Sequence, residues 1–172
     1  MREAIGGKWL FNLVIFFVLL FAGYMCLSIN YSKAFSVKDK IITEIERNGG
    51  IRNFNESDET IKEIVEYMAN TGYRTEGKCV TGGRNGYKYD YGCDRDGKCY
   101  PANDNTDYAF CLSEVRAENT FHEAQPGEFI FVSYYKVKVF YQLDLPVIRQ
   151  MFNFSINGDT RTLFDIEKAN KD

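Results

Sequence analysis

Four of the five cysteines lie close together in the sequence and have the spacing best suited to chemistry: Cys79, Cys93, Cys99 and Cys111. They include no CxxC pair, which is the spacing typical of zinc ligands. An even number of cysteines in a polar, glycine-rich region favours disulfide bonds and an oxidising compartment. Three pairings are possible. We prefer Cys93–Cys99, because Asp96-Gly97 can reverse the chain between them, together with Cys79–Cys111.

Aspartates between these cysteines raise calcium binding as a second kind of chemistry. Asp94-x-Asp96-Gly97 resembles the middle of a calcium loop, where oxygens at alternate positions precede a turn glycine. However, Gly92 stands where the first ligand is expected, and Asn103 stands in the place of the bidentate glutamate. Because Asp and Gly also favour tight turns, a turn is the preferred interpretation and calcium the alternative. We expect no cofactor.

Catalytic motifs are not found in the sequence. The single histidine, His122, stands in neither an HExxH nor a GxSxG context. The glycines at positions 82, 83 and 86 lack the arrangement of a phosphate-binding loop. We therefore expect a protein that is not an enzyme.

The segment Trp9–Ser28 carries no charge over about 20 residues, which at about 1.5 Å per helical residue just spans the hydrocarbon of a bilayer. Trp9, Tyr24 and Tyr31 stand where interfacial aromatic residues are expected. A cleaved signal peptide has a shorter apolar run followed by small residues. The pattern predicts a retained transmembrane helix over residues 9–28, after a short cytoplasmic segment, 1–8.

The apolar segment continues without a break into an amphipathic pattern with Val37, Ile41, Ile42 and Ile45 on one face. Asn48-Gly49-Gly50 is a credible stop. The sequence thus predicts one helix from about Lys8 to Arg47, on the order of 60 Å long, whose residues 29–48 extend beyond the membrane.

Residues 49–172 are predicted to form one extracytoplasmic α+β domain. A second short helix begins at Ser57 as the N-cap and closes at Asn70-Thr71-Gly72. Residues 73–107 are expected to form a long irregular loop bounded by disulfides. Strand patterns at 108–115 and 128–143, a helical turn behind Pro146 and a hairpin at Asn157-Gly158 complete an antiparallel sheet of about four strands.

Charge and cysteine usage indicate where the protein resides. With 21 basic and 24 acidic residues the formal net charge is −3, which argues against nucleic acid as a partner. Because the four clustered cysteines follow the apolar segment, we expect a single-pass protein of the cell membrane. Its N-terminus would be cytoplasmic and its C-terminal domain extracytoplasmic.

A long N-terminal helix, half in lipid and half packed on an antiparallel sheet with a disulfide-bounded loop, resembles the type IV pilin plan. Within that plan, the chain looks most similar to the Tad-type pseudopilins, small single-span proteins of bacterial tight-adherence pili. Ile5-Gly6-Gly7 is similar to a prepilin cleavage site, and cleavage after Gly7 would make Lys8 the first mature residue. The glutamate that the family carries at the fifth mature position is replaced here by Asn12. An asparagine in a lipid span can hydrogen-bond a neighbouring helix.

Two functional hypotheses follow, besides a membrane-bound enzyme of unknown type, which is disfavoured. In the first, the protein is a non-enzymatic pilin-like or pseudopilin-like subunit of a bacterial pilus or secretion assembly in the cell envelope. Its contacts with other membrane or pilus subunits are made by the N-terminal helix through Asn12, Val37, Ile41, Ile42 and Ile45. In the second, a membrane-tethered binding or sensory domain recognises a ligand through a display loop that carries Tyr87, Tyr89, Tyr91 and Tyr100. A requirement for residues 33–47 in folding would favour the first hypothesis.

Overall fold

A single helix, α1 (Arg2–Arg47), runs through the first quarter of the chain in the computed structural model, which describes residues 2–51, 54, 58–79, 89–116, 122–123, 128–142 and 153–168. Its 46 residues make it about 69 Å long, and it begins before the predicted start at Lys8. Gly49 and Gly50 follow with φ of 70° and 116°. The Gly50 N–H donates to the Ile45 carbonyl at 2.9 Å, so the predicted stop is confirmed.

The second helix, α2 (Glu59–Thr71), has Asp58 as its N-cap. The Asp58 carboxylate accepts a hydrogen bond from the Thr60 N–H at 2.9 Å, so the predicted cap at Ser57 is wrong by one position. At the other end Gly72 adopts φ of 67°, which confirms the predicted close of the helix.

The sheet is antiparallel throughout and has seven strands in the described residues, more than the expected four or so. They are β1 (Tyr91–Cys93), β2 (Cys99–Pro101), β3 (Phe110–Arg116), β4 (His122–Glu123), β5 (Glu128–Gln142), β6 (Asn153–Asp159) and β7 (Leu163–Lys168). The α+β class is confirmed. The prediction of an irregular loop over residues 73–107 is wrong in part, because this segment contains two of the additional strands, β1 and β2.

The 15-residue strand β5 is the centre of the sheet. Its residues 136–139 pair with β3 on one edge and with β6 on the other, and its first residues pair with β4 and β7. The path of neighbouring strands is β2-β1-β3-β5-β4. The predicted helical turn behind Pro146 lies outside the described residues.

The predicted hairpin at Asn157-Gly158 is wrong. Both residues lie inside β6, where Gly158 pairs with Val137. Strands β6 and β7 follow each other along the same edge of β5, and Thr160 between them bonds both the N–H and the carbonyl of Tyr135 at 2.9 Å. Gly158 is needed because α1 lies close: a Cβ there would meet Ile42 Cδ1 and Lys38 Cδ at 2.9 Å.

The two faces of the sheet carry separate apolar clusters. On the inner face, Val137 and Val139 of β5 pack with α1 and α2 in the main core. Alternation along the strand places Lys138 and Phe140 on the outer face. There, a smaller cluster is formed by Cys79, Tyr89, Tyr108, Cys111 and Phe140.

Candidate functional site

The second half of α1 is built into the domain. Ala34, Val37, Ile41 and Ile45 are fully buried against the sheet and α2, and Ile42 is partly buried. Their spacing of three or four residues keeps them on one face of the helix. Three of the residues expected to contact other subunits, Val37, Ile41 and Ile45, therefore lie in the core of this chain rather than on a surface. Residues 33–47 therefore form one side of that core.

The first half of α1 has the opposite environment. From Trp9 to Phe21 every residue is exposed, including Asn12, and Trp9 is 72% exposed. Among the described residues, this is the one helix long and apolar enough to cross a membrane. Asn12 is thus a polar side chain on an otherwise apolar surface, where a neighbouring helix can reach it.

A charged group holds α1 to α2, and the sequence analysis did not identify it. The Glu44 side chain is only 1% exposed and forms ion pairs with Lys40 and, through Oε2 at 2.6 Å, with Arg47. Arg47 also pairs with Glu63 of α2. A buried carboxylate is tolerated when cations surround it in this way. The spacing of Lys40, Glu44 and Arg47 by four and three residues was the available signal.

Both disulfides have the pairing preferred from the sequence. Cys93–Cys99 joins facing positions of β1 and β2 and closes the hairpin between them. Cys79–Cys111 joins the chain after α2 to the outer face of β3, with the two Cα atoms 5.5 Å apart. The remaining cysteine, Cys26, is a thiol on α1.

The tyrosines of the predicted display loop do not form one surface. Tyr89 is 4% exposed and belongs to the outer cluster, and the ring of Tyr91 stacks on Phe54 with centroids 3.9 Å apart. Tyr100 is 48% exposed. Tyr87 lies outside the described residues. The expectation of four displayed tyrosines is therefore wrong for Tyr89, because its ring fills the space beside the Cys79–Cys111 disulfide.

Asp94 has a structural role in the turn between β1 and β2. Its Oδ1 accepts hydrogen bonds from the backbone N–H groups of Asp96 and Lys98 at 3.0 and 2.8 Å. Gly97 has φ of 83°, as such a turn requires. No group of three or more His, Cys, Asp or Glu side chains able to hold a metal ion is present in the described part of the chain.

Two buried polar groups, Lys138 on β5 and Tyr73 just after α2, have no evident signal in the sequence. Burial lowers the pKa of Lys138, whose ammonium donates to the Lys78 carbonyl at 3.1 Å and lies 5.3 Å from the Phe140 ring centroid. Burial also raises the pKa of Tyr73, whose hydroxyl accepts from the Phe140 N–H at 2.8 Å. That hydroxyl faces the carbonyl of Ala109 at 3.1 Å as well, so it links β5 to the chain just before β3. Neither burial is evident from the sequence, because Lys138 alternates with Val137 and Val139 as a solvated residue would, and Tyr73 is surrounded by polar residues.

His122 lies in β4, where its backbone pairs with Ile130 of β5.

Comparisons with protein-family models, with curated proteins and with solved structures gave no match to this chain. The likeness to the pilin plan thus consists of architecture: a long apolar N-terminal helix whose second part packs on an antiparallel sheet.

Proposed function

We propose that the protein is a non-enzymatic, single-pass subunit of a bacterial envelope assembly of the pilin-like or pseudopilin-like kind. In this proposal, the apolar half of α1 lies in the bilayer and contacts other subunits there. The observation that carries the proposal is the continuity of α1, which is exposed and, apart from Asn12, apolar from Trp9 to Phe21 and fully buried at Ala34, Val37, Ile41 and Ile45.

The exposed half of α1 requires an apolar environment. Burying one large apolar side chain contributes about 1.5–3 kcal/mol, and nearly all such side chains between Trp9 and Met25 are exposed in the isolated chain. Lipid and neighbouring helices both meet this requirement, and a helix satisfies its own backbone hydrogen bonds in either.

The buried half of α1 supports an assembly subunit over an independent binding domain. A simple membrane tether can be removed without unfolding the domain that it carries. Residues 33–47 supply part of the core, so their removal should unfold the domain. The binding hypothesis also loses support from the tyrosines, because Tyr89 is buried and Tyr91 is stacked on Phe54.

The disulfides support an extracytoplasmic domain and a cytoplasmic N-terminus, because the cytosol keeps thiols reduced. Alkylation of the exported protein without reductant should modify Cys26 alone. After reduction, a membrane-impermeant reagent applied to intact cells should reach Cys99, which is partly exposed, before Cys93, which is buried in the core. Four reactive thiols in the folded domain would contradict both the disulfides and the outward orientation.

Asn12 provides the test of assembly. In gentle detergent the wild-type protein should co-purify with other envelope subunits, and Asn12→Leu should weaken that association. A hydrogen bond between helices in lipid is worth about 1 kcal/mol, which corresponds to roughly fivefold in affinity. Asn12→Gln keeps an amide and serves as the matched control. A wild-type protein that stays monomeric and purifies without envelope partners would refute the proposal.

A further inference from the structure

Four aromatic rings form a continuous cluster where the sheet meets α1, and we name it the junction cluster: Tyr31, Phe35, Tyr141 and Phe154. The ring of Tyr31 lies 6.3 Å from Phe35 and 5.6 Å from Tyr141, centroid to centroid. Tyr141 in turn stacks on Phe154 at 5.2 Å. The cluster therefore joins two turns of α1 to the C-terminal end of β5 and the start of β6.

The junction cluster is exposed to an unusual degree for a folded domain. Tyr31, Phe35 and Phe154 are 46, 41 and 39% exposed. Beyond Ile29, and among the side chains whose exposure the structure describes, the only other large hydrophobic one exposed to this extent is Tyr100. A concentration of exposed aromatic residues at one place marks an interaction site rather than random surface.

The position of the junction cluster along α1 is fixed by the packing of the helix on β5. Tyr31 contacts Tyr141, whereas Ile42, farther along the helix, lies beside Gly158, the partner of Val137. The helix and β5 therefore run in opposite directions, and the C-terminal end of β5 faces the apolar half of α1. The Asn30 amide fixes this arrangement by donating to the Gln142 carbonyl at 2.9 Å.

The sheet end lies at the level where the apolar segment ends. Tyr31 follows Ser28 by three residues, or about 4.5 Å of helix, and Phe35 by about 10.5 Å. The headgroup layer of one leaflet is about 5–7 Å thick, so Tyr31 falls within it and Phe35 lies just above its outer boundary. In addition, Cys26 and Leu27 are already partly covered although they belong to the apolar segment. A domain that covers α1 from this level must touch the bilayer surface.

We propose that the junction cluster enters the phospholipid headgroup layer of the bilayer that α1 spans through Tyr31, Tyr141 and Phe154, with Phe35 above the layer, so that the domain is docked on the membrane surface. This inference rests on the proposed transmembrane position of α1. Tyrosine rings suit this layer because they have an apolar body and a polar end. The tyrosines of the cluster thus act as a second anchor, contributed jointly by the helix and the sheet.

One lysine beside the cluster indicates which lipids are favoured. Lys33 is exposed two residues after Tyr31. The Lys38 side chain, by contrast, is only 12% exposed, and its ammonium lies 4.0 Å from the centroid of the Phe35 ring and 3.0 Å from Asp39 Oδ1, so it supports the ring instead of facing lipid. A long cationic side chain next to interfacial rings attracts acidic headgroups. The class of ligand is therefore a phospholipid surface that contains anionic lipids.

The test measures the depth of single tryptophans in the full-length protein, reconstituted into vesicles of neutral and anionic phospholipids. Phe154→Trp and Tyr100→Trp are each made in a Trp9→Phe background, and the wild-type protein reports through Trp9. Tyr100 is the matched control because it is also exposed but lies four strands from β6, about 19 Å across the sheet. Lipids brominated near the carbonyl end of the acyl chains quench indoles that reach the headgroup layer.

The inference requires three results together. Brominated lipid should quench F154W to an extent comparable with Trp9, should leave Y100W unquenched, and should quench F154W more strongly when acidic lipid is included. Quenching of Trp9 without quenching of F154W would overturn the docking but leave the proposed span intact. Failure to quench Trp9 would instead overturn the span, and the docking with it.

A second copy of the chain is the competing occupant of the junction cluster. In that case F154W would be shielded from both brominated lipid and acrylamide, and the shielding would disappear when the protein is diluted in lipid. That outcome would also overturn the docking. Equal quenching of F154W and Y100W would overturn it as well, because the contact would not then be specific to the junction cluster.

Discussion

The two faces of the sheet are covered in different ways. The inner face packs against α1 and α2 through periodic apolar stripes, for example Val37, Ile41 and Ile45. The outer face carries Cys111, Lys138 and Phe140 and is covered by the chain around Cys79 and Tyr89, where no helix is present in the described residues.

The two faces differ in how they offset the conformational entropy that is lost when the covering segment becomes ordered. A helix orders its backbone through its own hydrogen bonds and presents one apolar face, so side-chain burial alone can hold it. An irregular segment has neither advantage, and fixing each residue costs about 1–2 kcal/mol. The outer face accordingly has the disulfide Cys79–Cys111 and rings that lie directly on glycine backbone.

The largest effect should come from the inner face. Ile41→Ala with Ile45→Ala removes two fully buried side chains one turn apart, each worth about 2–5 kcal/mol. Together these losses approach the whole stability of a typical domain, about 5–15 kcal/mol. Limited proteolysis of the detergent-solubilised protein over a denaturant series should show an unfolded domain.

The matched control is Ile15→Ala with Leu19→Ala, a pair with the same spacing in the exposed half of α1. This variant should leave the protease resistance of the domain unchanged. Equal destabilisation by both pairs would contradict the division of α1 into an exposed and a buried half.

Removing the disulfides should have the next largest effect and should separate the outer face from the hairpin. Replacing Cys79 and Cys111 by alanine opens a loop with a separation of 32 residues, worth about 3.7 kcal/mol in the chain-entropy model. Replacing Cys93 and Cys99 opens a separation of 6 residues, worth about 2.2 kcal/mol. Denaturation midpoints should therefore fall more for the first pair. The reverse order would show that the hairpin, not the outer cluster, depends on its covalent bond.

The sequence predicts the inner face well because periodicity carries its information. The stripe of Val37, Ile41 and Ile45 and the stop at Gly49 together predicted α1 and its end, and Gly72 predicted the end of α2. The disulfide pairing was also predictable. Asp96-Gly97 predicts a turn between Cys93 and Cys99, and this local signal does not depend on knowing that the flanking residues form strands.

The outer face and the edge of β5 were harder to predict for physical reasons. The burial of Tyr89 has no periodic signal, because its neighbours are held by a long-range disulfide rather than by a regular element. Asn157-Gly158 has two explanations, a tight turn or a close approach of another element, and the approach of Ile42 to Gly158 is visible only in three dimensions. Strand β5 exceeds an ordinary strand in length, so it accepts two successive partners on one edge.

Glycine substitutions should have an intermediate effect and should distinguish the two faces. On the outer face a Cβ at Gly92 would lie 2.3 Å from the Tyr108 ring, which is packed within its cluster. On the inner face a Cβ at Gly158 would meet the flexible ends of Ile42 and Lys38 at 2.9 Å. We expect Gly92→Ala to cost about 1–3 kcal/mol through overpacking, and Gly158→Ala to cost less.

A double-mutant cycle checks the cause of the Gly92 effect. If the cost arises from the Tyr108 ring, then Gly92→Ala should be nearly neutral in a Tyr108→Ala background. Measured free energies of unfolding that simply add would assign the cost to the backbone of β1 instead.

The smallest expected effect is a pH dependence that belongs to the outer face. Burial lowers the pKa of Lys138 below its ordinary value of 10.5. Between the lowered pKa and 10.5 the unfolded chain binds more protons at this site than the folded protein, so the site's contribution to stability rises with pH. Below that window the folded protein holds a charged ammonium in an apolar cluster, where the Lys78 carbonyl at 3.1 Å compensates its desolvation only in part.

Lys138→Met removes this titration. The stability of the wild-type protein relative to Lys138→Met should therefore increase as the pH rises from neutral toward 10.5, which denaturation midpoints at matched ionic strength would measure. Lys138→Arg is the control, because a guanidinium stays protonated over this range and should give no such increase. Parallel pH profiles for wild type and Lys138→Met would show that the ammonium is solvated in the folded protein, and the outer face would then be more open to water than the buried position of Lys138 implies.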